Sequence, residues 1–215
     1  MKLLYPVDGV SEVAVGLLGT EIIQNFQRHG GAQVLTKTAE TFIKGIDVTK
    51  LAVVDFHRAV WVAWIQTFMN EMWSDRIVCE CGRANEVVHD LSQMDIQALD
   101  IMDKVIKLKG PDPETFKPVE YEFVFKPITI KEYEDMQESD VEATTAIIRA
   151  CTKQQTPKTE HLPLNLYAEI GKMLSPEIKN LGLFGVKETK CAKCEKPLFS
   201  QASIQNPRFL TPTTL

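Results

Sequence analysis

The sequence predicts an α+β fold that is mostly helical and carries one small β module. Two long stretches, residues 49–73 and 129–152, place apolar residues at helical spacing. Four of the five cysteines fall into two close pairs beside strand-like residues. These features divide the chain into four regions: an N-terminal helical region (1–75), a first cysteine pair with a β module (76–130), a second helical region (131–185), and a second cysteine pair with an extended tail (186–215).

The N-terminal region is dominated by the predicted helix at 49–73. Its wide apolar face includes Trp61 and Trp64, so we expect at least one of these tryptophans to be buried in the core of the chain. A subunit interface is the alternative cover for such a face. His57 is predicted to lie on the solvated edge of the helix. Residues 12–26 have a mixed apolar pattern that fits a helix or a strand.

The first cysteine pair lies in the segment DRIVCECGRANEVVHDL. Alternate residues of an extended chain point to the same face, so Cys79 and Cys81 can present both thiols to one point. Gly82 can adopt a positive φ and reverse the chain, and Val87 and Val88 predict a returning strand. The segment therefore predicts a β-hairpin with two metal ligands at its turn.

The second pair lies in KETKCAKCEKPLFSQ, with the two-residue spacer that is common in zinc ribbons. A tetrahedral zinc ion with Zn–S bonds of about 2.3 Å needs sulfur atoms roughly 3.8 Å apart, which both pairs can reach. Four thiolates leave no open position for water or substrate, so the sequence predicts a structural zinc in a zinc-ribbon-like β module. The predicted ligands are Cys79, Cys81, Cys191 and Cys194. Trp73 is expected near this module because it shortly precedes Cys79.

Other roles for the cysteines remain open from the residues alone. The thiols can be free and buried, or they can have a redox or disulfide role. In a variant of the metal site, His89 in the returning strand replaces one cysteine. The fifth cysteine, Cys151, is expected at the end of a helix as a small packed or exposed thiol.

The rest of the chain contains further element signals. Residues 91–110 predict an amphipathic segment, and alternating polar and apolar residues predict a strand at 119–125. A helix is predicted at 129–152. Ser175 followed by proline predicts the start of a last short helix, and residues 206–215 predict an extended tail with little to fold around.

Composition and motifs exclude several classes of function. The net charge of −5 gives no overall attraction to nucleic acid or to an anionic membrane. The longest apolar stretch is interrupted by charged residues, and the N-terminus lacks the apolar core of a signal peptide. We therefore expect a protein of a reducing cytoplasm, where structural disulfides are rare. No glycine-rich phosphate loop, metalloprotease motif or paired carboxylates stand out, so no catalytic residue and no enzyme activity is predicted.

Three segments follow one another in the order IVCECGRANEVVHDLSQMDIQ, YEFVFKPITIKEYEDM and KCAKCEKPLF, within residues 75–200. This order resembles the T-even-type phage baseplate hub and hub-assembly proteins. In that family a strand enters a cysteine-bearing turn and leaves with an x-x-V-x-x-D-L pattern, and a proline-containing segment then precedes helices. The matching residues are Val87, Asp90, Leu91, Lys126, Pro127, Thr129, Lys131, Glu132 and Tyr133.

The resemblance implies a non-enzymatic virion or assembly protein of a contractile-tailed phage. Its expected partners are other tail or baseplate hub proteins and the tape-measure protein. No binding to a membrane or to nucleic acid is expected. Its expected locations are the host cytoplasm during assembly and the tail baseplate of the virion. The alternative is a zinc-ribbon nucleic-acid-binding or transcription accessory factor, favoured by four lysines around the second cysteine pair and opposed by glutamates in the same module. An enzyme is a third possible class, and no residue pattern in the sequence favours it.

Overall fold

The computed structural model describes residues 1–22, 24, 34–94, 96, 98–138, 141–159, 162–175, 186–203, 206 and 209. Helix and strand are present in about equal amounts, at 35% and 34%. The prediction of a mostly helical fold is therefore wrong, and the chain is a mixed α/β protein with several small antiparallel sheets. No helix among the described residues is long and apolar enough to cross a membrane.

The strands of the described residues pair in an antiparallel manner. They are β1 (Lys2–Val7), β2 (Val10–Glu12), β3 (Ala14–Val15), β4 (Ile43–Lys44), β5 (Met72–Val78), β6 (Ala84–Asp90), β7 (Val105–Pro111), β8 (Pro118–Phe125), β9 (Thr152–Thr156), β10 (Val186–Lys190) and β11 (Pro197–Gln201). Four sheets are two-stranded (β1–β2, β3–β4, β5–β6 and β10–β11), and a fifth has the order β7–β8–β9. Because an isolated two-stranded sheet is marginal in water, each of the four depends on packing against other elements.

The described α-helices are α1 (Val34–Phe42), α2 (Val53–Phe68), α3 (Ile130–Gln137), α4 (Ala143–Cys151) and α5 (Leu164–Met173). Helix α3 begins with a capping box. The Glu132 N–H donates to the hydroxyl of Thr129, and the Glu132 carboxylate accepts from the Thr129 N–H. Reciprocal bonds of this kind satisfy two backbone donors that would otherwise lack partners at a helix start.

Two hydrophobic cores meet along helix α2. The first core contains Trp64 of α2 together with side chains of β1, α1 and β5, including Trp73. The second core contains Val53 at the start of α2, the β7–β9 sheet around Phe123, and helices α4 and α5. Trp61 and Trp64 are both buried within this one chain, so the prediction of a core helix is confirmed.

Helix α2 is shorter than the predicted helix at 49–73. It ends at Phe68 because Met69 takes a left-handed conformation with φ of 52°. The chain then enters β5, which pairs with β6. The prediction that His57 lies on a solvated edge is also wrong, since only 3% of its surface is exposed.

The segment predicted as amphipathic at 91–110 is not one element. It begins with a 3₁₀ turn at Leu91–Gln93 and later forms β7, which pairs along its whole length with β8. The predicted strand at 119–125 is confirmed by β8. The predicted helix at 129–152 is interrupted and forms α3 and α4.

The two C-terminal expectations have different outcomes. The helix expected after Ser175 lies outside the described residues. In the expected tail, Asn206 and Phe209 are described, and Phe209 is fully buried in the first core. The description of this segment as a tail with little to fold around is wrong for Phe209.

Candidate metal centre

The first cysteine pair lies at the turn between β5 and β6, whose residues pair without a register shift. The N–H of Cys79 donates to the carbonyl of Arg83 at 2.9 Å, and the N–H of Gly82 donates to the carbonyl of Cys79 at 2.8 Å. Gly82 has a φ of +81°, in the left-handed region that allows the chain to reverse there. The predicted hairpin and the predicted role of Gly82 are confirmed.

The second pair lies at the turn between β10 and β11. The N–H of Cys191 donates to the carbonyl of Lys196 at 2.9 Å, and the N–H of Glu195 donates to the carbonyl of Cys191 at 2.9 Å. The N–H of Lys193 points at the sulfur of Cys191 from 3.4 Å. A backbone N–H directed at a sulfur stabilises the thiolate form, which is the form that binds a metal. This turn is therefore shaped to hold a thiolate.

The two turns bring all four predicted ligands to one point. The sulfur atoms of Cys79 and Cys194 are 3.5 Å apart, and those of Cys81 and Cys191 are 3.6 Å apart. All four sulfur atoms lie within 4.8 Å of one another and could hold a metal ion. These separations bracket the roughly 3.8 Å edge of a tetrahedral four-thiolate zinc site. Cys151 lies elsewhere, fully buried in the second core.

The thiols of this cluster differ strongly in acidity. Hydrogen bonds from the backbone N–H groups of Lys193 and Cys194 lower the pKa of Cys191 to about 6. The Lys196 N–H lowers the pKa of Cys194, but partial loss of solvent around its sulfur and the neighbouring thiols, first among them Cys79, raise the pKa of Cys194 to about 12. One thiolate thus forms readily and disfavours a second beside it. A bound cation removes this repulsion, so the cluster favours a metal when all four thiols ionise.

Contacts next to the sulfur atoms hold the two hairpins in register. Asn85 accepts from the N–H of Ala192 at 3.0 Å and directs its own amide N–H at the sulfur of Cys191 from 3.7 Å. Lys196 pairs with Glu80 at 2.7 Å across the two turns. Asn85 therefore links the two turns and supplies a further donor to a ligand, as outer-shell residues of metal sites commonly do.

A buried polar group lies between the hairpins, on the side away from the turns. The hydroxyl of Ser200 donates to the Asp75 carboxylate at 3.0 Å and lies 2.8 Å from Nε2 of His89. All three residues are buried, and Asn206 also donates to Asp75, at 3.2 Å. Ser, His and Asp here do not form a nucleophilic triad, because the serine is buried and the carboxylate accepts from the serine rather than from the imidazole. The group joins the hairpins instead.

His89 is therefore engaged with Ser200, and among the described residues the group that could hold a metal consists of the four cysteines. Burial lowers the pKa of His89 from 6.5 to about 4, so its ring is neutral near neutral pH. The sequence interpretation missed Asp75 and Ser200. A signal was present: Asp75 lies two residues after Trp73 and Ser200 two after Leu198, so in each strand a polar residue shares the inward face with a large apolar one.

Comparisons with protein-family models, with curated proteins and with solved structures find no match for this chain.

Proposed function

We propose that the chain is a non-enzymatic structural or assembly protein whose two cysteine hairpins are joined by a structural zinc ion. The observation that carries this proposal is the approach of four sulfur atoms, from hairpins more than a hundred residues apart in the chain, to within 4.8 Å of one another. Four thiolates are the usual ligands of a closed structural zinc site, and they leave no position for a substrate. When bound, the zinc supplies a rigid cross-link between distant segments.

The assembly that we propose is the baseplate hub of a contractile phage tail, with other tail or hub proteins and the tape-measure protein as partners. This part of the proposal is supported by the resemblance of the three quoted segments to hub and hub-assembly proteins. In the chain, those segments form the first hairpin, the β8–α3 connection with its capping box, and the second hairpin. They are the parts of the chain that fix the metal centre and the junction between the cores.

A nucleic-acid-binding zinc ribbon is the second candidate. It is favoured by exposed lysines at the second hairpin, among them Lys190 and Lys193, and by Phe199, which is 62% exposed on β11 and could stack on a base. Glu188 faces Phe199 directly across the hairpin and opposes this function.

Metal analysis of the protein, expressed without added metal and kept reduced, tests the zinc. We expect one zinc per chain, and we expect none in the Cys191→Ser variant. Cys151→Ala is the matched control and should keep the zinc, because Cys151 lies outside the cluster. Iron in place of zinc, or no metal, would contradict the proposal.

Two double variants distinguish the two functions. Cys191→Ser with Cys194→Ser should lose the metal and the ordered second hairpin, and tail proteins should no longer co-purify. Lys190→Glu with Lys193→Glu should keep the zinc and should still bind tail proteins. If the charge-reversal protein folds and keeps its zinc but no longer supports tail assembly, nucleic-acid binding is the better proposal for the function.

A further inference from the structure

We propose that the cysteine cluster is also a peroxide-responsive switch, in which oxidation joins Cys79 to Cys194 and releases the bound metal. This inference rests on the proposed structural zinc and adds a means of regulating that site. A redox role for the cysteines was one of the alternatives that the sequence left open.

Two sulfur–sulfur contacts of the cluster join one hairpin to the other. Cys79 of the first hairpin contacts Cys194 of the second at 3.5 Å, and Cys81 contacts Cys191 at 3.6 Å. A shift of about 1.5 Å would bring either pair to the S–S bond length of about 2.05 Å. The cluster is thus arranged for links between the hairpins.

The two cross-hairpin pairs differ in access to solvent and in hydrogen bonding. Cys194 is exposed, whereas Cys79 is buried. Cys191 is buried, and its sulfur accepts from the Lys193 N–H and from the Asn85 amide. A dissolved oxidant therefore meets Cys194 first, and Cys79 is the buried thiol next to it, free of the two donors that restrain Cys191.

The chemistry needs a hydroperoxide as oxidant. Metal binding holds Cys194 as a thiolate, and this thiolate attacks one oxygen of hydrogen peroxide. The O–O bond breaks, and the leaving hydroxide takes up a proton to become water. The Cys79 thiolate then attacks the sulfenic acid sulfur of Cys194, which forms the S–S bond and expels a second hydroxide that becomes water. Two electrons pass from the two thiolates to the peroxide. Zinc leaves because two thiolate ligands remain where four were present.

The oxidised protein should keep its hairpins together after the metal has left. The disulfide would join residues 115 positions apart at the same junction that the metal joins. The Lys196–Glu80 pair and the Asn85–Ala192 hydrogen bond flank this junction and can persist through the exchange. Oxidation thus exchanges a metal cross-link for a covalent one, and a thiol reductant with zinc reverses the exchange.

The test begins with the zinc content of the reduced protein, which examines the proposed function alone. Hydrogen peroxide is then added to the zinc-loaded protein and, separately, to reduced metal-free protein. Zinc release is followed with a chromogenic chelator, and disulfides are mapped by mass spectrometry after the free thiols are alkylated. In the zinc-loaded sample, where all four cysteines are thiolates, we expect complete loss of zinc and Cys79–Cys194 as the first disulfide. Cys151→Ala should respond in the same way as the natural chain.

Retention of zinc in excess peroxide would overturn the switch. So would a first disulfide between Cys79 and Cys81, or between Cys191 and Cys194, in the zinc-loaded protein. If the reduced protein contains no zinc, the proposed function is overturned instead. The disulfides identified in peroxide-treated metal-free protein would then show which cysteines pair without a metal.

Discussion

The imidazole of His57 lies inside the protein, in a T-shaped contact with the ring of Phe56 at a centroid distance of 5.6 Å. Burial lowers the pKa of His57 from 6.5 to about 4. Between these two values the unfolded chain binds a proton that the folded chain does not, so the free energy of unfolding should fall as the pH falls. The full decrease is about 3 kcal/mol at 1.36 kcal/mol per pH unit. Above the unfolded pKa this contribution is constant.

Urea unfolding at a series of pH values checks this prediction. The His57→Leu variant is the control, because it should lose this part of the pH dependence while His89 and the cysteines keep theirs. The difference between the two proteins isolates the imidazole. An equal pH dependence in both proteins would show that His57 is not buried as a neutral ring.

Asp55 explains why the sequence predicted that His57 would be exposed to solvent. Its carboxylate accepts from the N–H groups of Leu4 and Tyr5 at 2.8 and 3.0 Å, and Arg58 pairs with it at 2.9 Å. Two charged residues beside His57 suggested an exposed edge, whereas they bind strand β1 within the protein. The sequence does not reveal such pairing because the partner is the backbone, which carries the same donors in every residue.

The first turn of helix α1 is hydrogen-bonded to a carboxylate of helix α3. Glu134 of α3 accepts from the N–H of Thr36 at 2.9 Å and from its hydroxyl at 2.6 Å, and the group is buried. Glu134→Ala should lower the free energy of unfolding by about 2 kcal/mol, because two buried donors lose their acceptor. Asp135→Ala is the control, with an expected change within about 0.5 kcal/mol, since the Asp135–Lys131 pair is exposed. Equal losses in urea unfolding would contradict the cap.

Phe209, which follows β11 in the chain, packs against helix α2. The centroid of its ring lies 5.7 Å from that of Trp64 and 5.2 Å from that of Trp73. The backbone carbonyl of Phe209 accepts a hydrogen bond from the Trp64 indole N–H at 2.9 Å. Phe209→Ala should lower the free energy of unfolding by about 3–5 kcal/mol, because it leaves a cavity in the first core. Phe199→Ala is the control. It removes a phenyl ring from an exposed site and should change the free energy of unfolding by less than about 0.5 kcal/mol. Tryptophan fluorescence during urea unfolding measures both.

Local signals explain which elements the sequence predicts correctly. The β5–β6 hairpin has its turn glycine and its β-branched residues within one short segment, so Gly82 and Val87 suffice to predict it. Strand β7 lacks such signals, and the apolar residues before it recur at helical spacing. Its pairing with β8 overrides that pattern and buries Leu108. The four cysteines that could hold a metal were predictable from residue type and spacing, whereas Asp75 and Ser200 acquire a role only when the hairpins face each other.

The described part of the chain forms two hydrophobic cores and a small cysteine cluster. The first core includes Trp73 at the base of the first hairpin, and Ala202 and Phe209 just after the second. The second core contains no described residue of either hairpin. The Trp61 indole N–H donates to the carbonyl of Ala202 at 2.8 Å, which ties the end of the second hairpin to helix α2. A metal held by the cysteine cluster would therefore be linked directly to the first core and only indirectly to the second.

This arrangement predicts a graded response to removal of the metal from reduced protein. A chelator should increase backbone hydrogen exchange most in β10 and β11, where few apolar side chains are buried and the proposed zinc would supply the cross-link. The increase should be smaller at the base of β5, which Trp73 anchors. Exchange in β8 should change least, because its buried residues Tyr121, Phe123 and Phe125 pack only within the second core. Added zinc should restore the original rates, and Cys151→Ala should behave in the same way. Exchange in β8 that rises as much as in β10 would mean that the metal holds the entire fold. Unchanged exchange in β10 would mean that the hairpin is held by Trp61 and Phe209 without the metal.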